Sequence, residues 1–144
     1  MQVVYAFFDA YRAHDVETMV DLCDDMAAFR YVPLESWTKQ RVVRGDGKVK
    51  TIGKVIWTGM IEAFPDLTNE VTRVLSDDSG TVAAEVILSG TQERDWWSIK
   101  SRRCRFNLPQ LFLFHLNDED KIDGITSYWD NASFYAQLGQ LEID

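Results

Sequence analysis

The residues best suited to chemistry lie near the end of the chain, where residues 121–130 predict a strand and residues 131–139 predict a short helix. Thr126, Tyr128 and Asp130 alternate along that strand, so they share one of its faces. The opposite face carries Ile125, Ser127 and Trp129. A carboxylate in line with a phenol can act as a general base beside a group that polarises an oxygen, provided that their face lines a pocket. We therefore predict catalytic roles for Asp130 and Tyr128.

Asp130 also has a structural interpretation. It directly precedes the predicted terminal helix, where its carboxylate could accept a hydrogen bond from the amide of Ala132 or Ser133 as an N-cap. A general base at this position would need apolar surroundings that raise its pKa, and a partner that places the proton. The two roles are compatible with each other.

Glu85 and His115 are further candidates on two other predicted strands. Glu85 lies within the largely apolar stretch 81–91. In one pocket with Asp130 it would separate the pKa values of the two carboxyl groups, as acid/base work requires, or it could instead lie at a solvated face or an interface. We place Glu85 in the substrate-binding set. His115 continues the apolar run 111–116, and it is either a structural histidine or a proton shuttle that joins the catalytic set.

Four aromatic residues complete the predicted substrate-binding set. Phe29 and Tyr31 share one face of a predicted short strand, Trp57 lies in a predicted helix, and Phe112 lies in a predicted strand. Aromatic residues make up 12% of the chain, including five Trp, an abundance that suits a core with a cavity or an interface. The Tyr31 hydroxyl could donate to a developing oxyanion, although such a tyrosine is more often a core residue.

Two further groups have more than one interpretation. Trp96 and Trp97 lie in an irregular segment, where they could form a lid over a flat substrate or a contact between two copies of the chain. The basic cluster consists of Lys100, Arg102, Arg103 and Arg105. It could hold an anionic group, or it could form the solvated edge of a strand.

Composition excludes several classes of protein. The 144 residues carry a net charge of −8, which argues against binding to nucleic acids or to anionic membranes. The first residues lack the basic start of a signal peptide, and no apolar stretch approaches the length of a membrane span. Cys23 and Cys104 are too few for a disulfide framework, so we expect two free thiols in a reducing, cytoplasmic compartment. No spacing typical of metal ligands occurs, and we expect neither a metal nor another cofactor.

The first half of the chain has mainly helical periodicity. Apolar spacing predicts one helix up to about residue 13, and Asp15 predicts the cap of a second. The inner face of this second helix would carry Val16, Met19, Cys23 and Met26. A short strand is predicted over 28–33 and a loop over 34–48, with its turn at Gly45-Asp46-Gly47. A third helix is predicted over 49–64. Its inward residues would be Ile52, Val55, Ile56, Met60, Ala63 and Phe64.

The second half alternates with a period of two. Strands are predicted over 67–75, 81–91, 103–116 and 121–130, separated by turns at 77–80 and 117–120 and by an irregular segment at 92–101. Helices early and strands late indicate a single α+β domain over 1–144, with an antiparallel sheet covered on one face.

Several local strings resemble those of the SnoaL-like polyketide cyclases, within the nuclear transport factor 2-like superfamily. They are YRAHDV at 11–16, AFPDL at 63–67, LSGT at 88–91, YWD at 128–130 and QLG at 137–139. The resemblance implies a cone-shaped, curved, mostly antiparallel sheet wrapped by N-terminal helices, one deep apolar pocket, and a homodimer that packs through the sheet. Gln92 stands where the cyclases often have His, and residues 93–105 do not resemble their usual connection.

The resemblance also implies two classes of function. In the cyclases an Asp on the last strand serves as the acid/base residue of an aldol-type ring closure, and Asp130 matches that position. The first hypothesis is an enzyme that performs cofactor-free acid/base chemistry on a small hydrophobic carbonyl compound. The second is a module of the same fold that binds a ligand or a partner without catalysis. A pocket that encloses Asp130 would favour the enzyme, and an Asp130 used for capping would favour the module.

Overall fold

The computed structural model describes the backbone of residues 1–38 and 41–140, and the side chains of residues 1–32 and 46–140. Four α-helices, one π-helical turn and six strands follow one another along these residues. They are α1 (Gln2–Arg12), α2 (Val16–Asp21), β1 (Cys23–Thr38), β2 (Arg41–Lys48), the π-helical turn (Val49–Gly53), α3 (Lys54–Ala63), β3 (Thr68–Ser76), β4 (Thr81–Thr91), β5 (Arg105–Leu116), β6 (Ile122–Trp129) and α4 (Asn131–Gln137).

The strands form one open, curved sheet in the order β2-β1-β6-β5-β4-β3. Every neighbouring pair is antiparallel except β1 and β6, which run parallel. A parallel pair cannot be joined by a tight hairpin, and here α3 and four strands lie between the two partners in the chain. The predicted α+β class with a mostly antiparallel sheet is confirmed.

The two faces of the sheet differ in burial. Buried and exposed side chains alternate along β5, where Phe112 and Phe114 are buried and Leu111, Leu113 and His115 are not. The helices cover the face that carries Phe112 and Phe114, which we call the helix-covered face. The opposite, open face consists of exposed or half-buried side chains of the central strands. They include Ala83, Glu85, Ile87, Pro109, Leu111, Leu113, His115, Thr126 and Tyr128.

Aromatic side chains hold α1 and α3 against the helix-covered face. Phe7 of α1 contacts Phe114 with ring centroids 5.3 Å apart, and Phe8 contacts Phe112 at 5.1 Å. Trp57 of α3 is fully buried and packs edge-to-face on Phe7 at 5.4 Å. Each large aromatic side chain removes much apolar surface from water, so these contacts dominate the stability of the core.

The terminal helix α4 closes one end of the helix-covered face. Phe134 is fully buried, and its ring lies 4.2 Å from that of Trp129 and 5.0 Å from that of Phe106. The helix ends before Gly139, whose φ of +74° suits glycine. The short helix therefore docks through one aromatic anchor.

Three predictions about the first half of the chain are wrong. The second helix ends at Asp21 rather than continuing past Cys23, which begins β1. The Asp24 carboxylate accepts a hydrogen bond from the Met26 amide at 2.9 Å, a local bond that competes with helix formation. Met26 is consequently 65% exposed. In α3, Val55 is 57% exposed rather than inward.

The predicted loop over 34–48 is also wrong wherever the backbone is described. Most of it belongs to β1 and β2, and Gly47, in the predicted turn, pairs with Phe29. Residues 39 and 40 lie outside the described backbone. The strand β2 lies at the edge of the sheet, where its backbone pairs with β1. This pairing does not require an alternating apolar pattern in the sequence. The predicted helix over 49–64 begins as the π-helical turn before α3.

Candidate functional site

Several buried polar atoms have no hydrogen-bond partner, counting the part of the chain that the structure describes. They are the Tyr31 hydroxyl, Trp57 Nε1, Gln92 Oε1, Trp96 Nε1, both amide atoms of Gln110, the Ser127 hydroxyl, Trp129 Nε1 and Asn131 Oδ1. Leaving one such group unsatisfied costs about 1–3 kcal/mol. Buried unpaired groups are uncommon in native proteins and call for an explanation.

Four of these residues form what we call the polar cluster: Tyr31, Gln110, Ser127 and Trp129. Sheet register brings them together on the helix-covered face, because Tyr31 pairs with Ser127 across β1 and β6 and Gln110 pairs with Trp129 across β5 and β6. The rings of Tyr31 and Trp129 lie 5.2 Å apart. None of the four is more than 6% exposed.

The environment of Tyr31 shows that its hydroxyl stays protonated. Burial raises the pKa of Tyr31 well above its ordinary value, the nearby Tyr11 adds to this effect, and the Gln110 amide opposes it. The Gln110 side chain is thus close to the hydroxyl, although the two groups do not have hydrogen-bond geometry. A phenol of this kind donates a hydrogen bond readily and does not serve as a base near neutral pH.

The polar cluster offers neutral hydrogen-bonding groups within an apolar wall. Gln110 can donate through Nε2 and accept through Oε1, Tyr31 and Ser127 can do both through their hydroxyls, and Trp129 can donate. Together they could bind a carbonyl or hydroxyl oxygen of an otherwise apolar molecule. Donors of this kind could also stabilise a developing oxyanion.

The four aromatic residues of the predicted substrate-binding set all lie on the helix-covered side of the sheet. Phe29 contacts Trp57 with ring centroids 5.2 Å apart and Tyr31 at 6.1 Å. Phe112 is 1% exposed and packs against helix α1. The structure therefore brings Phe29, Tyr31 and Trp57 together, and it places Phe112 in the aromatic core beside them.

The remaining predicted residues lie elsewhere. Tyr128 is 39% exposed, and it shares the open face with Glu85, which forms an ion pair with Arg73 at 3.1 Å. Strand pairing sets Glu85 opposite Leu111 and Leu111 opposite Tyr128. Glu85 is thus paired with Arg73 and not with Asp130, in line with its interpretation as a residue of a solvated face. It lines a cleft of the open face together with Tyr128, and its place in the substrate-binding set stays a prediction.

Asp130 occupies the N-cap of α4. Its Oδ1 accepts a hydrogen bond from the Ser133 amide at 3.0 Å, and the side chain is exposed. This is the structural role expected from its position before the helix. The structure does not bring Asp130 together with the polar cluster, and its catalytic role stays a prediction.

His115 also lies away from the polar cluster. Its Nδ1 contacts the Asp123 carboxylate across β5 and β6, at an exposed position on the open face. Asp123 thus provides a surface hydrogen-bond partner for the His115 ring, which agrees with the interpretation of His115 as a structural histidine. The structure does not bring His115 together with Asp130 or Tyr31.

The basic cluster is largely paired with acidic side chains. Lys100 contacts Asp95 at 3.7 Å, Arg103 contacts Glu93 at 3.2 Å, and Arg105 contacts Asp66 at 3.4 Å. Exposed ion pairs of this kind contribute little to stability. Their positions favour the interpretation as a solvated surface.

Sequence reasoning missed Gln110, Ser127 and Trp129 as site residues. The signal for Gln110 was present, because it has the same parity as Phe112 in the predicted strand 103–116. A lone amide among buried phenylalanines must find a partner or bind a ligand. Ser127 and Trp129 have the parity opposite to Tyr128, and only the face of β6 that carries Tyr128 and Asp130 was considered in the prediction of the site.

The described residues contain neither a metal-binding cluster nor a membrane-spanning helix. No group of three or more His, Cys, Asp or Glu side chains in residues 1–32 and 46–140 is arranged to hold a metal ion. No helix within the described backbone is both long and apolar enough to cross a membrane.

Known structures show the same fold at low sequence identity. The chain matches AclR from Streptomyces galilaeus, a candidate hydroxylase, with a TM-score of 0.78 and 14% identity over 99% of this chain and 85% of the other. It matches IdmH from Streptomyces antibioticus, a candidate polyketide cyclase, with a TM-score of 0.77 and 19% identity over 96% of each chain. A Catenulispora acidiphila protein with a ketosteroid isomerase-like fold matches with a TM-score of 0.72 and 13% identity over 96% and 93%.

A family model gives the more specific relationship. No match is found among curated proteins. The model of the SnoaL-like domain matches residues 4–125, which cover α1 through the first part of β6 and include Tyr31 and Gln110. The chain belongs to the SnoaL-like domain family.

Proposed function

We propose that this protein binds a small, largely apolar and uncharged molecule on the helix-covered face, and that the polar cluster holds an oxygen atom of this molecule. The observation that carries the proposal is the Gln110 side chain. It is 3% exposed, and neither its Nε2 nor its Oε1 has a hydrogen-bond partner within the described residues. A carbonyl or hydroxyl group can satisfy a neutral amide without burying a charge.

Tyr31 and the aromatic wall support the same conclusion. The Tyr31 hydroxyl is a second unpaired group on the face that holds Gln110. Phe29 and Trp57 supply apolar surface beside it. Small-molecule sites are mostly apolar and contain a few convergent polar groups that orient the ligand.

Catalysis is the further step in this proposal. Relatives of the same fold include a candidate polyketide cyclase, so we infer cofactor-free chemistry on a carbonyl compound as the reaction class. Tyr31 and Gln110 would donate hydrogen bonds to the oxygen as negative charge develops on it. The predicted base, Asp130, caps α4 instead of facing these donors. That position favours the alternative of a module that binds its ligand without turnover.

Binding can be tested with extraction and titration. Organic extracts of the purified protein would be examined by mass spectrometry, and uncharged ring ketones of one to four rings would be titrated by calorimetry. We expect Gln110→Met to weaken binding of the best ketone roughly tenfold, because a lost hydrogen bond to a buried group is worth about 1–3 kcal/mol. Gln2→Met, at an exposed position of α1, is the matched control. Equal affinity in wild type and Gln110→Met would refute the role of the cluster.

We also propose that the open face pairs with a second copy of the chain in a cytoplasmic homodimer. Ile87, Leu111, Leu113 and Tyr128 present half-buried or exposed apolar surface there, and apolar patches of this kind often mark interfaces. Light scattering at micromolar concentration should give the mass of a dimer for wild type and of a monomer for Leu111→Lys. A monomeric wild-type protein would end this proposal.

A further inference from the structure

A cavity lies beside α3 and is lined by none of the polar-cluster residues. It is a cleft of about 540 Å³ between this helix and the segment that follows β4. We call it the Trp97 cleft. The residues that matter to the argument are Lys54, Val55, Glu62, Arg94, Asp95 and Trp97. Its volume is within the range of about 300–1,000 Å³ that is typical of small-molecule sites.

Trp97 is held in a backbone conformation that disfavours its side chain. Trp96 and Ile99 exchange two backbone hydrogen bonds, of 3.0 and 2.9 Å, across a two-residue turn formed by Trp97 and Ser98. Trp97 has a φ of +54°. Asn or Gly adopts this conformation more easily at such a turn. Strained residues persist where the surrounding structure enforces them, and they are found most often at functional sites.

The surroundings fix the Trp97 indole in place. It stacks on Trp96 with ring centroids 5.1 Å apart and an interplanar angle of 18°. Trp96 is buried against Phe64 and Phe134. At Gly59 of α3 an added Cβ would lie 2.8 Å from Trp96 Nε1, so this ring packs closely on the helix. Trp97 remains 40% exposed, which leaves a rigid aromatic surface at the cleft.

The cleft is lined by two cations and two carboxylates, and these charges are unevenly distributed along it. Asp95 is engaged by the Ser101 amide at 2.8 Å and by Lys100 at 3.7 Å. Lys54, Arg94 and Glu62 make no ion pair among the described residues. Arg94 lies at the Glu62 end of α3, because its amide donates to the Ala63 carbonyl at 3.3 Å, so these two opposite charges lie at the same end of the cleft. Lys54 and Glu62 are eight residues apart on α3, or about 12 Å along the helix axis, so the Lys54 end of the cleft is positive.

We propose that the Trp97 cleft binds a flat aromatic molecule that carries an acidic group. The aromatic rings stack on the exposed indole of Trp97, and the exposed Val55 side chain adds apolar contact. The acidic group lies toward Lys54, at the end of α3 away from Glu62. This site is separate from the polar cluster, which offers only neutral groups, and it does not depend on the proposed function.

The test uses two fluorescent probes that share one ring system. The anionic probe is 1-anilinonaphthalene-8-sulfonate, and the neutral probe is N-phenyl-1-naphthylamine. We expect both probes to bind the folded protein, and the anionic probe to bind more tightly. Trp97→Asn should weaken the anionic probe roughly tenfold, because an aromatic contact is worth about that factor. Trp97→Phe should keep most of the affinity.

Trp97→Asn is informative because the substitution suits the backbone. Asn relieves the backbone strain at φ of +54°, and this gain offsets the lost contact with Trp96. The Tm of the variant should therefore differ from that of wild type by only a few degrees. Near-ultraviolet circular dichroism should show an intact core. Lys54→Gln should lower the affinity for the anionic probe and leave the affinity for the neutral probe unchanged. Gln2→Met, at an exposed position of α1, is the matched control and should change neither affinity.

Three results would overturn the proposal. The first is undiminished binding of the anionic probe to folded Trp97→Asn. The second is a neutral probe that binds as tightly as the anionic one. The third is a loss of binding in Gln110→Met, which would place the probes at the polar cluster.

Discussion

The Tyr31 hydroxyl and the Gln110 amide lie on the same face of the sheet, in strands on either side of β6, and neither has a hydrogen-bond partner in the part of the chain that the structure describes. The Gln110 amide is close enough to oppose the rise in the pKa of Tyr31 that burial causes. Both groups are neutral and both can donate. This pair supports our proposal that a ligand oxygen binds on the helix-covered face.

The first prediction concerns the stability of the protein without a ligand. Gln110→Met removes two buried, unpaired polar atoms and keeps nearly the same side-chain shape. We expect the free energy of unfolding in urea to rise by about 1 kcal/mol. Gln2→Met on the exposed side of α1 should stay within about 0.5 kcal/mol of wild type. A clear loss of stability in Gln110→Met would mean that the amide already has its partners.

The second prediction concerns Asp130. Asn also caps helices well, so Asp130→Asn should leave both the urea midpoint and ketone binding unchanged. Asp130→Ala should lower the free energy of unfolding by about 1 kcal/mol, because the Ser133 amide loses its acceptor. Once a substrate is known, a loss of turnover of about 10²–10⁴-fold in Asp130→Asn would instead restore its predicted catalytic role.

The third prediction compares the two thiols. Cys23 is 5% exposed, burial raises its pKa to about 12, and its S–H group donates to the Met19 carbonyl at 3.4 Å. Since the thiolate is the reactive form, a disulfide reagent at pH 8 should label Cys23 only after denaturation. Cys104 is partly exposed and should react in the native protein. Cys104→Ser should abolish the labelling of the native protein. Fast labelling of native Cys104→Ser would show that Cys23 is accessible and would contradict its burial.

The fourth prediction concerns stability at acidic pH. Partial burial raises the pKa of Asp66, but hydrogen bonds from Thr91 and the charge of Arg105 outweigh this, so the net pKa is lowered. A lowered native pKa means that the unfolded chain binds a proton first as the pH falls. This contribution is therefore complete above about pH 4, the ordinary range of Asp, and is lost as the pH falls through the native pKa.

Asp66→Asn provides the measurement. Asn can still accept the Thr91 amide, which lies 2.6 Å from Oδ1, but it cannot ionise. The difference in Tm between pH 6 and pH 3 should therefore be smaller in the variant than in wild type. Glu70→Gln, at an exposed position of β3, is a control that should behave like wild type. An unchanged difference in Asp66→Asn would show that other groups carry the acid sensitivity.

Some elements could be predicted from the sequence because their signals are local. The strand β4 spans residues 81–91 as predicted, since its alternation is regular and the turn before it is rich in Asp, Ser and Gly. Asp15 caps α2 as predicted, with its carboxylate accepting the Thr18 amide at 3.1 Å. The resemblance of local strings to the SnoaL-like cyclases predicted the family correctly.

The strands β1 and β2 could not be predicted in the same way. In their pairing, Phe29 lies opposite Gly47 and Arg30 lies opposite Asp46. The strand β2 is a largely polar segment in which apolar and polar residues do not alternate. Backbone hydrogen bonds from a neighbouring strand stabilise such a segment, so its conformation depends on a contact that is distant in the chain.

The sequence by itself determined which side chains share a face of each strand, because a period of two follows from local backbone geometry. It separated Tyr128 and Asp130 from Ser127 and Trp129, and it gave Gln110 the parity of Phe112. Only the tertiary structure decided which of these faces lies inside. The packing of Phe7 and Phe8 of α1 on Phe112 and Phe114 covers one side of the sheet, and that choice depends on apolar area buried between elements far apart in the chain.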